Sequence, residues 1–252
     1  MNPISRRQLI RTGAGIAATA AAVPVAASLA ERSGILAPDA RGIFGPGKAL
    51  TYGGQRLVTS HSMAREFSRD EISAAFPRKS KQSKEPAWAS LKAGGFADWR
   101  LKVDGLLDRP AEFSVAQLRD LPARSQITHL ACEEGWSYIA EWKGTPLSEL
   151  LEAVGAKPKA RYVLYFSIQK NWWDSLDMAE ALHPQTLLAY GMNGAPLPEG
   201  HGGPLRMRVP RQLGFKNVKF IDRLTVTDSL KGFGTGKGSP ASDGGYSWYG
   251  GI

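Results

Sequence analysis

The residues best suited to chemistry lie in residues 128–147, THLACEEGWSYIAEWKGTPL. This stretch contains Cys132, the only cysteine of the 252-residue chain, directly after a short apolar run that is typical of a strand. A thiolate is a soft ligand that suits molybdenum or copper better than calcium or magnesium. A lone cysteine is also often a small, inert part of a core. The residue type by itself therefore leaves a metal ligand and an inert thiol open.

A second group of candidate residues lies in residues 187–226. In the run LRMRVP, Arg206 and Arg208 are two positions apart, which places them on one face of a strand. The preceding loop PEGHGGP has glycines that let a ligand approach the backbone, and a Gly-Phe-Lys run follows at Gly214. Arginine forks, lysine and backbone N–H groups together suit a phosphate. The pattern indicates either a phosphate cradle or a basic strand at the surface.

Short strands and short helices must position these two groups. The apolar patterns predict strands over 96–105, 126–131, 161–168, 187–192 and 221–226. Asn193 and Gly194 predict a hairpin-type turn after the fourth of these strands. Helices are predicted to begin after Ser114, at Pro146 and at Asp177. Residues 57–76 indicate turns and brief helix, and the basic run 77–86 indicates a surface loop.

Composition narrows the class of protein. With 42% hydrophobic and 22% charged residues the chain is globular, and its formal net charge is +9. Such a charge is compatible with an anionic ligand or lipid, but no nucleic-acid motif is present, so we expect no nucleic-acid partner. No Cys-x-x-Cys-His run exists for covalent haem, and no P-loop or Rossmann glycine pattern stands in the right context. One cysteine cannot make an internal disulfide, so Cys132 is buried, liganded or reactive.

The N-terminal residues have the features of an export signal. Paired arginines at Arg6 and Arg7 precede an Ala-rich run over 13–30 that Pro24 interrupts. This pattern predicts a twin-arginine signal peptide over 1–30, although an uncleaved membrane anchor is the alternative. The Gly- and Pro-rich segment that follows predicts a tether over 31–55, ahead of a catalytic domain over 56–252. We therefore expect a periplasmic location.

The motifs resemble those of the sulfite oxidase family of molybdopterin enzymes, and most closely its small exported bacterial branch. The run CEEGWS from Cys132, with WKGTPL ten residues later, is similar to the cysteine loop of that family. The runs LAYGMNG, PLR, VP and GFK follow in the same order as in the family. The resemblance, which covers about 96–226, implies an α+β fold of the sulfite oxidase type with mixed sheets and short helices. The tail over 231–252 is short, so a single catalytic domain without the dimerisation domain of the larger oxidases is expected.

The resemblance also implies roles for individual residues. Cys132 is expected to be the single protein ligand of molybdenum, and the cofactor is expected to be molybdopterin carrying that metal (Mo-molybdopterin). His201 is implied as a pterin contact or, alternatively, as a solvated loop histidine. Lys79 and Ser80 stand where relatives place an Asn-Gly pair against the pterin. The remaining implied cofactor contacts are Ser167, Arg206, Asn217, Val218 and Lys219.

The function implied by the resemblance is oxygen-atom transfer at sulfur. Metal and pterin would supply the chemistry, and the protein would supply orientation and charge. Glu133 and Glu134 follow the cysteine where sulfite-oxidising relatives have a Gly-Asn-Arg-like segment, which favours a sulfoxide such as oxidised methionine over sulfite. A sulfite dehydrogenase, or a non-catalytic exported protein that binds an anion or pterin, are the alternatives. The expected form is a monomeric catalytic subunit with a membrane haem-b partner supplied by quinol.

Overall fold

The computed structural model describes residues 36–59, 61–78 and 83–252. Its α-helices are α1 (Gly45–Thr59), α2 (Pro86–Ala93), α3 (Val115–Asp120), α4 (Leu147–Ala153), α5 (Met178–Ala181) and α6 (Pro240–Asp243). Its strands are β1 (Leu101–Gly105), β2 (Ala111–Phe113), β3 (Arg124–Ala131), β4 (Ser137–Pro146), β5 (Tyr162–Ser167), β6 (Trp173–Asp177), β7 (Leu187–Met192), β8 (Ala195–Pro196), β9 (Arg206–Arg208) and β10 (Ile221–Thr227). Short 3-10 helices lie at Arg69–Glu71, Glu199–His201 and Gly214–Lys216.

The strands form two sheets. The first sheet has the order β2-β1-β10-β5-β6, in which β1 and β10 are parallel and the other pairs are antiparallel. The second has the order β3-β4-β7-β8 and is entirely antiparallel, with β9 also paired to β7. Buried side chains of both sheets, among them Val163, Leu188 and Met207, meet α4 in the largest apolar core. The predicted class of mixed sheets with short helices is confirmed.

Local chemistry explains several of the boundaries. The Ser114 hydroxyl accepts a hydrogen bond from the Gln117 amide and so caps α3, as predicted. Asp177 caps α5 in the same way through the Glu180 amide. Asn193 and Gly194 both have positive φ angles, 51° and 77°, which joins β7 to β8 in a tight turn. The predicted cap at Ser114 and the predicted turn at Asn193 are confirmed, and the helix predicted at Asp177 is present with Asp177 as its cap.

Other boundaries differ from the prediction because long-range contacts decide them. The strand expected from residue 96 begins only at Leu101, because Gly95 and Phe96 have positive φ angles and form a turn. The segment expected to be an irregular tether includes most of α1. That helix is held by Tyr52, which is buried, and by Arg56, which donates hydrogen bonds to Asp177 and Glu180. Strands β4 and β6 were not predicted at all.

The structure describes the C-terminal end of the chain but not the first 35 residues. Tyr52 of α1 packs edge-on against Trp248 and Tyr249, so the Gly/Ser-rich tail is part of a second apolar cluster. The predicted signal peptide lies outside the described residues, as does the start of the predicted tether. Within the described part of the chain, no helix combines the length and apolar character needed to cross a membrane.

Candidate active site

A cavity of about 350 Å³ opens beside the end of β3. Its wall brings together segments that are far apart in the sequence: the cysteine loop, the loop after β5, and the chain around β9 and the Gly214–Lys216 helix. Five of the implied metal and cofactor contacts line it, namely Cys132, Arg206, Asn217, Val218 and Lys219. The volume falls within the range of about 300–1,000 Å³ that is usual for small-molecule sites. This cavity is therefore the candidate active site.

The thiol of Cys132 is placed by a tight turn at the end of β3. The Cys132 amide donates to the Trp136 carbonyl at 2.9 Å, and the Gly135 amide donates to the Cys132 carbonyl at 3.1 Å. Gly135 has a φ of 89°, a conformation that favours glycine. Gly214 lies close on the other side, since a Cβ there would be 3.2 Å from the Cys132 Cα. The turn and the glycine together present the half-buried thiol to the cavity.

The surroundings of Cys132 keep its thiol protonated. Burial, followed by the neighbouring carboxylates, raises the pKa of Cys132 to about 11. Its Sγ lies 3.3 Å from a Glu133 carboxylate oxygen and 3.9 Å from one of Glu134. A thiol in this state is a poor nucleophile at neutral pH, whereas a bound metal cation would displace its proton outright. The environment suits a metal ligand better than a free reactive cysteine.

The cationic part of the cavity is built on Arg206. This side chain is buried and donates to the backbone carbonyls of His201 at 2.9 Å and Asn217 at 2.8 Å. Its guanidinium lies 5.0 Å from the centre of the Trp142 ring. Arg208 shares the strand face, as predicted, but it donates to the Asn217 side chain and to the His129 carbonyl. Of the predicted arginine pair, only Arg206 lines the cavity.

Lys219 adds a second cation to the same wall. Burial, followed by the charges of Arg206 and Arg78, lowers the pKa of Lys219 to about 7. Its ammonium donates to the Gly200 carbonyl at 2.9 Å. The carboxylates among the described lining residues are Glu133 and Glu134, which stand beside Cys132. Each of these neighbouring positive charges makes it less favourable for the others to stay charged. An anion bound between them would make the charged forms favourable again.

The other predicted cofactor contacts are placed elsewhere. His201 is buried behind the wall, with its Nδ1 3.3 Å from the Tyr138 hydroxyl, so it is not a solvated loop histidine. The Ser167 hydroxyl accepts a hydrogen bond from the Gln169 amide and faces a neighbouring groove. Neither side chain lines the cavity with Cys132. Lys79 and Ser80 lie outside the described residues.

Among the lining residues with no role predicted from the sequence are Arg78, Tyr138 and Gln169. Arg78 directly precedes the loop position at Lys79, and Tyr138 belongs to the cysteine stretch, so their neighbourhood was the available signal. Gln169 follows the end of β5, and only the tertiary structure brings it to the cavity. Arg78, which the sequence had assigned to a surface loop, is therefore the third cation on the cavity wall, beside Arg206 and Lys219.

Two tryptophans form the apolar part of the entrance. The Trp136 ring stacks on Tyr138 with 6.1 Å between ring centres, and its Nε1 donates to the Glu134 carboxylate at 3.1 Å. Trp172 is partly exposed at the rim. Trp173, its neighbour in the sequence, instead packs against Phe166 and Phe233. An apolar approach to Cys132 is thus built from one tryptophan of that pair.

The donor set of the cavity fits a metal carried by an anionic organic cofactor. Among the described residues no group of three or more His, Cys, Asp and Glu side chains could hold a metal ion. A metal bound at Cys132 would therefore need ligands from another molecule. The cluster of Arg78, Arg206 and Lys219 supplies the charge to hold an anionic group of such a molecule in the same cavity.

Comparison with known proteins identifies the family. Residues 90–232 match the family described as the oxidoreductase molybdopterin binding domain. The chain belongs to this family. The predicted resemblance and the predicted class of cofactor, molybdopterin, are confirmed by that match.

Two relatives show how far the likeness extends. The putative protein-methionine-sulfoxide reductase subunit YedZ1 of Azospira oryzae is 41% identical over 155 residues, which cover 62% of this chain and 56% of the relative. The protein-methionine-sulfoxide reductase catalytic subunit MsrP of Xanthomonas campestris is 32% identical over 188 residues, 69% of this chain and 54% of the relative. The chain thus spans about half the length of the curated relatives it matches.

A solved structure supports the fold. The crystal structure of the sulfane dehydrogenase SoxCD from Paracoccus pantotrophus is similar with a TM-score of 0.50 and 26% sequence identity. The similarity covers 52% of this chain and 39% of the SoxCD chain. The molybdopterin-binding fold of the sulfite oxidase type is therefore confirmed for this member of the family.

Proposed function

We propose that this protein is the catalytic subunit of a molybdenum-dependent oxidoreductase that reduces methionine sulfoxide in proteins. The observation that carries the proposal is one cavity in which the lone thiol of Cys132 faces a wall of cations. The relatives named as protein-methionine-sulfoxide reductase subunits support the substrate class. Because the chain spans about half of those relatives, the activity needs a direct test on this chain.

The residues of the cavity divide into two roles. Cys132 would bind the metal through its sulfur, and Arg78, Arg206 and Lys219 would hold the anionic part of the pterin. When bound, the molybdenum centre supplies oxygen-atom transfer at sulfur and accepts or releases the electrons. The chain itself orients the group through Gly135 and Gly214, which fix the position of the thiol.

The entrance favours a neutral sulfoxide over an anion. Glu133 and Glu134 place two carboxylates within 3.9 Å of the Cys132 sulfur, and like charge disfavours sulfite at that position. Trp136 and Trp172 offer ring surfaces to the side of the carboxylates. The thioether sulfur of methionine, the product of the reduction, contacts aromatic rings favourably, by about 0.3–1.5 kcal/mol. A methionine sulfoxide side chain is neutral and can contact these rings, so it suits the entrance better than sulfite does.

The proposal includes location and partner. The paired arginines Arg6 and Arg7 and the Ala-rich run behind them support export by the twin-arginine route to the periplasm. The word "subunit" in the names of the relatives supports a second component. We infer a membrane haem-b protein supplied by quinol as the source of electrons.

The test uses protein purified from a host that makes molybdopterin. Metal analysis is expected to give about one molybdenum per chain, and an artificial reductant is expected to be oxidised when a methionine sulfoxide peptide is added. Sulfite-dependent reduction of an acceptor without sulfoxide turnover would instead make the protein a sulfite dehydrogenase. Folded protein without molybdenum and without pterin fluorescence after acid release would favour a non-catalytic binding protein and refute the proposal.

A further inference from the structure

A stripe of exposed apolar side chains runs along α1 and the turn that precedes it. Ile43, Phe44, Leu50, Leu57 and Val58 are each between 75% and 89% exposed. They make up half of the ten large hydrophobic side chains that are exposed among the described residues, within a span of sixteen positions. Scattered exposed hydrophobics are normal, whereas a contiguous group marks an interaction surface. These five residues are called the apolar stripe below.

The stripe cannot turn inward, because the opposite face of α1 is fixed. Leu50 and Leu57 are two helical turns apart and share a face, while Tyr52 and Arg56 lie on the other side. The Tyr52 hydroxyl donates to Asp177 at 2.6 Å, and Arg56 donates to Asp177 at 2.9 Å and Glu180 at 3.0 Å. Because the acceptors Asp177 and Glu180 are buried, these hydrogen bonds hold the helix against the domain.

The glycines of the stripe's face show that it is open. A Cβ added at Gly47 or at Gly54 would meet no atom within 4 Å. No acidic residue occurs from Ala40 to Met63. The cations of the helix are engaged inward, since Lys48 donates to Asp39 at 2.7 Å and Arg56 to the two acids named above. The outward face is therefore apolar with little charge of either sign.

We propose that the apolar stripe lies in the interfacial layer of a lipid bilayer. A stable protein–protein interface engages about 20–30 residues on each side, and a stripe of five side chains on α1 and the turn before it is too small for that. A bilayer needs no complementary shape, and amphipathic helices with Phe and Leu on one face bind in this way. An anionic lipid surface would meet no acidic side chain along the stripe.

The position of the stripe in the chain agrees with a membrane neighbour. Residues 12–30 contain no charged side chain, a run long enough for a membrane segment, and Ile43 follows Ala30 by thirteen positions. A connection of that length spans at most about 45 Å when fully extended. While the chain keeps that segment in a bilayer, α1 is held near the same surface. The stripe would add a second, independent contact to it.

The experiment measures partition onto vesicles of equal parts phosphatidylethanolamine and phosphatidylglycerol. The full chain carrying Leu50→Gln together with Leu57→Gln is compared with wild type and with Leu182→Gln, an exposed leucine outside the stripe. The double variant is expected to bind on the order of tenfold more weakly, because two apolar contacts with the interface are lost. At a salt concentration that screens the net charge of +9, wild type and Leu182→Gln are expected to keep binding, and to bind equally.

Each other outcome overturns the proposal. Equal binding of all three proteins would place the whole membrane affinity in the N-terminal segment. No binding of wild type would remove the bilayer as the occupant. If the wild type is a dimer by light scattering without vesicles and the double variant is a monomer, a second copy covers the stripe. If binding is lost in high salt for all three, the contact is electrostatic. Unchanged thermal unfolding of the double variant checks that the exposed substitutions leave the fold intact.

Discussion

At the scale of single residues, the surroundings of Cys132 keep its thiol protonated at neutral pH. Burial and the carboxylates of Glu133 and Glu134 raise the pKa of the thiol, so the cysteine is protected from casual oxidation at neutral pH. The same carboxylates sit at the entrance, where they also bear on which substrate approaches. Under the proposed function, this one arrangement affects both metal binding and the choice of substrate.

Replacing Cys132 by serine tests its role. Serine is a harder and far less acidic donor than a thiol, so Cys132→Ser is expected to abolish sulfoxide turnover. Bound pterin is expected to remain, because the cations proposed to hold its anionic part, Arg206 and Lys219, are separate side chains. Pterin content and turnover per folded molecule are the two measurements. Wild-type turnover in folded Cys132→Ser protein would remove the cysteine from the site.

Lys219 offers a cleaner test of the cation wall than Arg206. Arg206 also holds two backbone carbonyls, so its removal would weaken the apo fold as well as the cofactor site. Lys219→Met is expected to weaken cofactor retention by about 2–5 kcal/mol, since it deletes a desolvated charge from an anion site. The measurement is pterin content after dialysis.

Lys92→Met is the matched control for this substitution, because Lys92 forms a surface ion pair with Glu199 at 2.9 Å. Surface pairs contribute about 0–1 kcal/mol, and we expect its pterin content to equal that of wild type. The same loss of pterin in both variants would contradict the assignment of Lys219.

At the scale of elements, α1 is joined to the domain by the apolar packing of Tyr52 and by the ion pairs of Arg56. Arg56 forms ion pairs with Asp177 and Glu180, all of them buried or nearly so, and stacks over the Tyr249 ring at 4.8 Å. The acids belong to the end of β6 and to α5. One arginine therefore connects the N-terminal helix, the first sheet and the C-terminal tail.

Removing that arginine is expected to destabilise the whole fold. Arg56→Ala leaves buried carboxylates without one partner, which costs about 3–5 kcal/mol in the free energy of unfolding. Arg65→Ala is the control, because Arg65 pairs with Glu71 in an exposed position and its loss costs about 0–1 kcal/mol. Urea denaturation of both variants gives the comparison. Equal stabilities would mean that α1 is not anchored through Arg56.

At the scale of the whole molecule, His201 is expected to make the free energy of unfolding depend on pH. Burial, followed by the charges of Arg206 and Lys219, lowers the pKa of His201 to about 4, below its usual value near 6.5. The unfolded chain then binds a proton between pH 6.5 and 4 that the folded chain does not, so stability falls as the pH drops through this window. The loss from this residue is on the order of 2–3 kcal/mol.

The check is a series of urea denaturations of the apo protein between pH 7 and pH 4. His201→Asn removes the titrating group, so its stability is expected to fall less across the window than that of wild type. His61→Asn, at an exposed histidine, is the control and is expected to follow wild type. A curve for His201→Asn that parallels wild type would show that His201 does not cause the acid sensitivity.

The sequence by itself determined the parts that depend on neighbouring residues. The strand before Cys132, the Ser114 cap, the helix at Asp177 and the turn at Asn193 follow from local hydrogen bonds and apolar period, and the structure has all of them. The order of motifs was enough to predict the family and its cofactor, because both depend on residue types in sequence.

Only the tertiary structure decided which side chains meet. Arg206 and Arg208 are equivalent in the strand pattern, but Asn217 and the His129 carbonyl draw Arg208 away from the cavity. Ser167 turns to the Gln169 amide and so faces another groove. A segment with little apolar pattern became α1 because Asp177 and Glu180, more than a hundred residues away, accept its hydrogen bonds. Partners distant in sequence set these outcomes, and no local pattern records them.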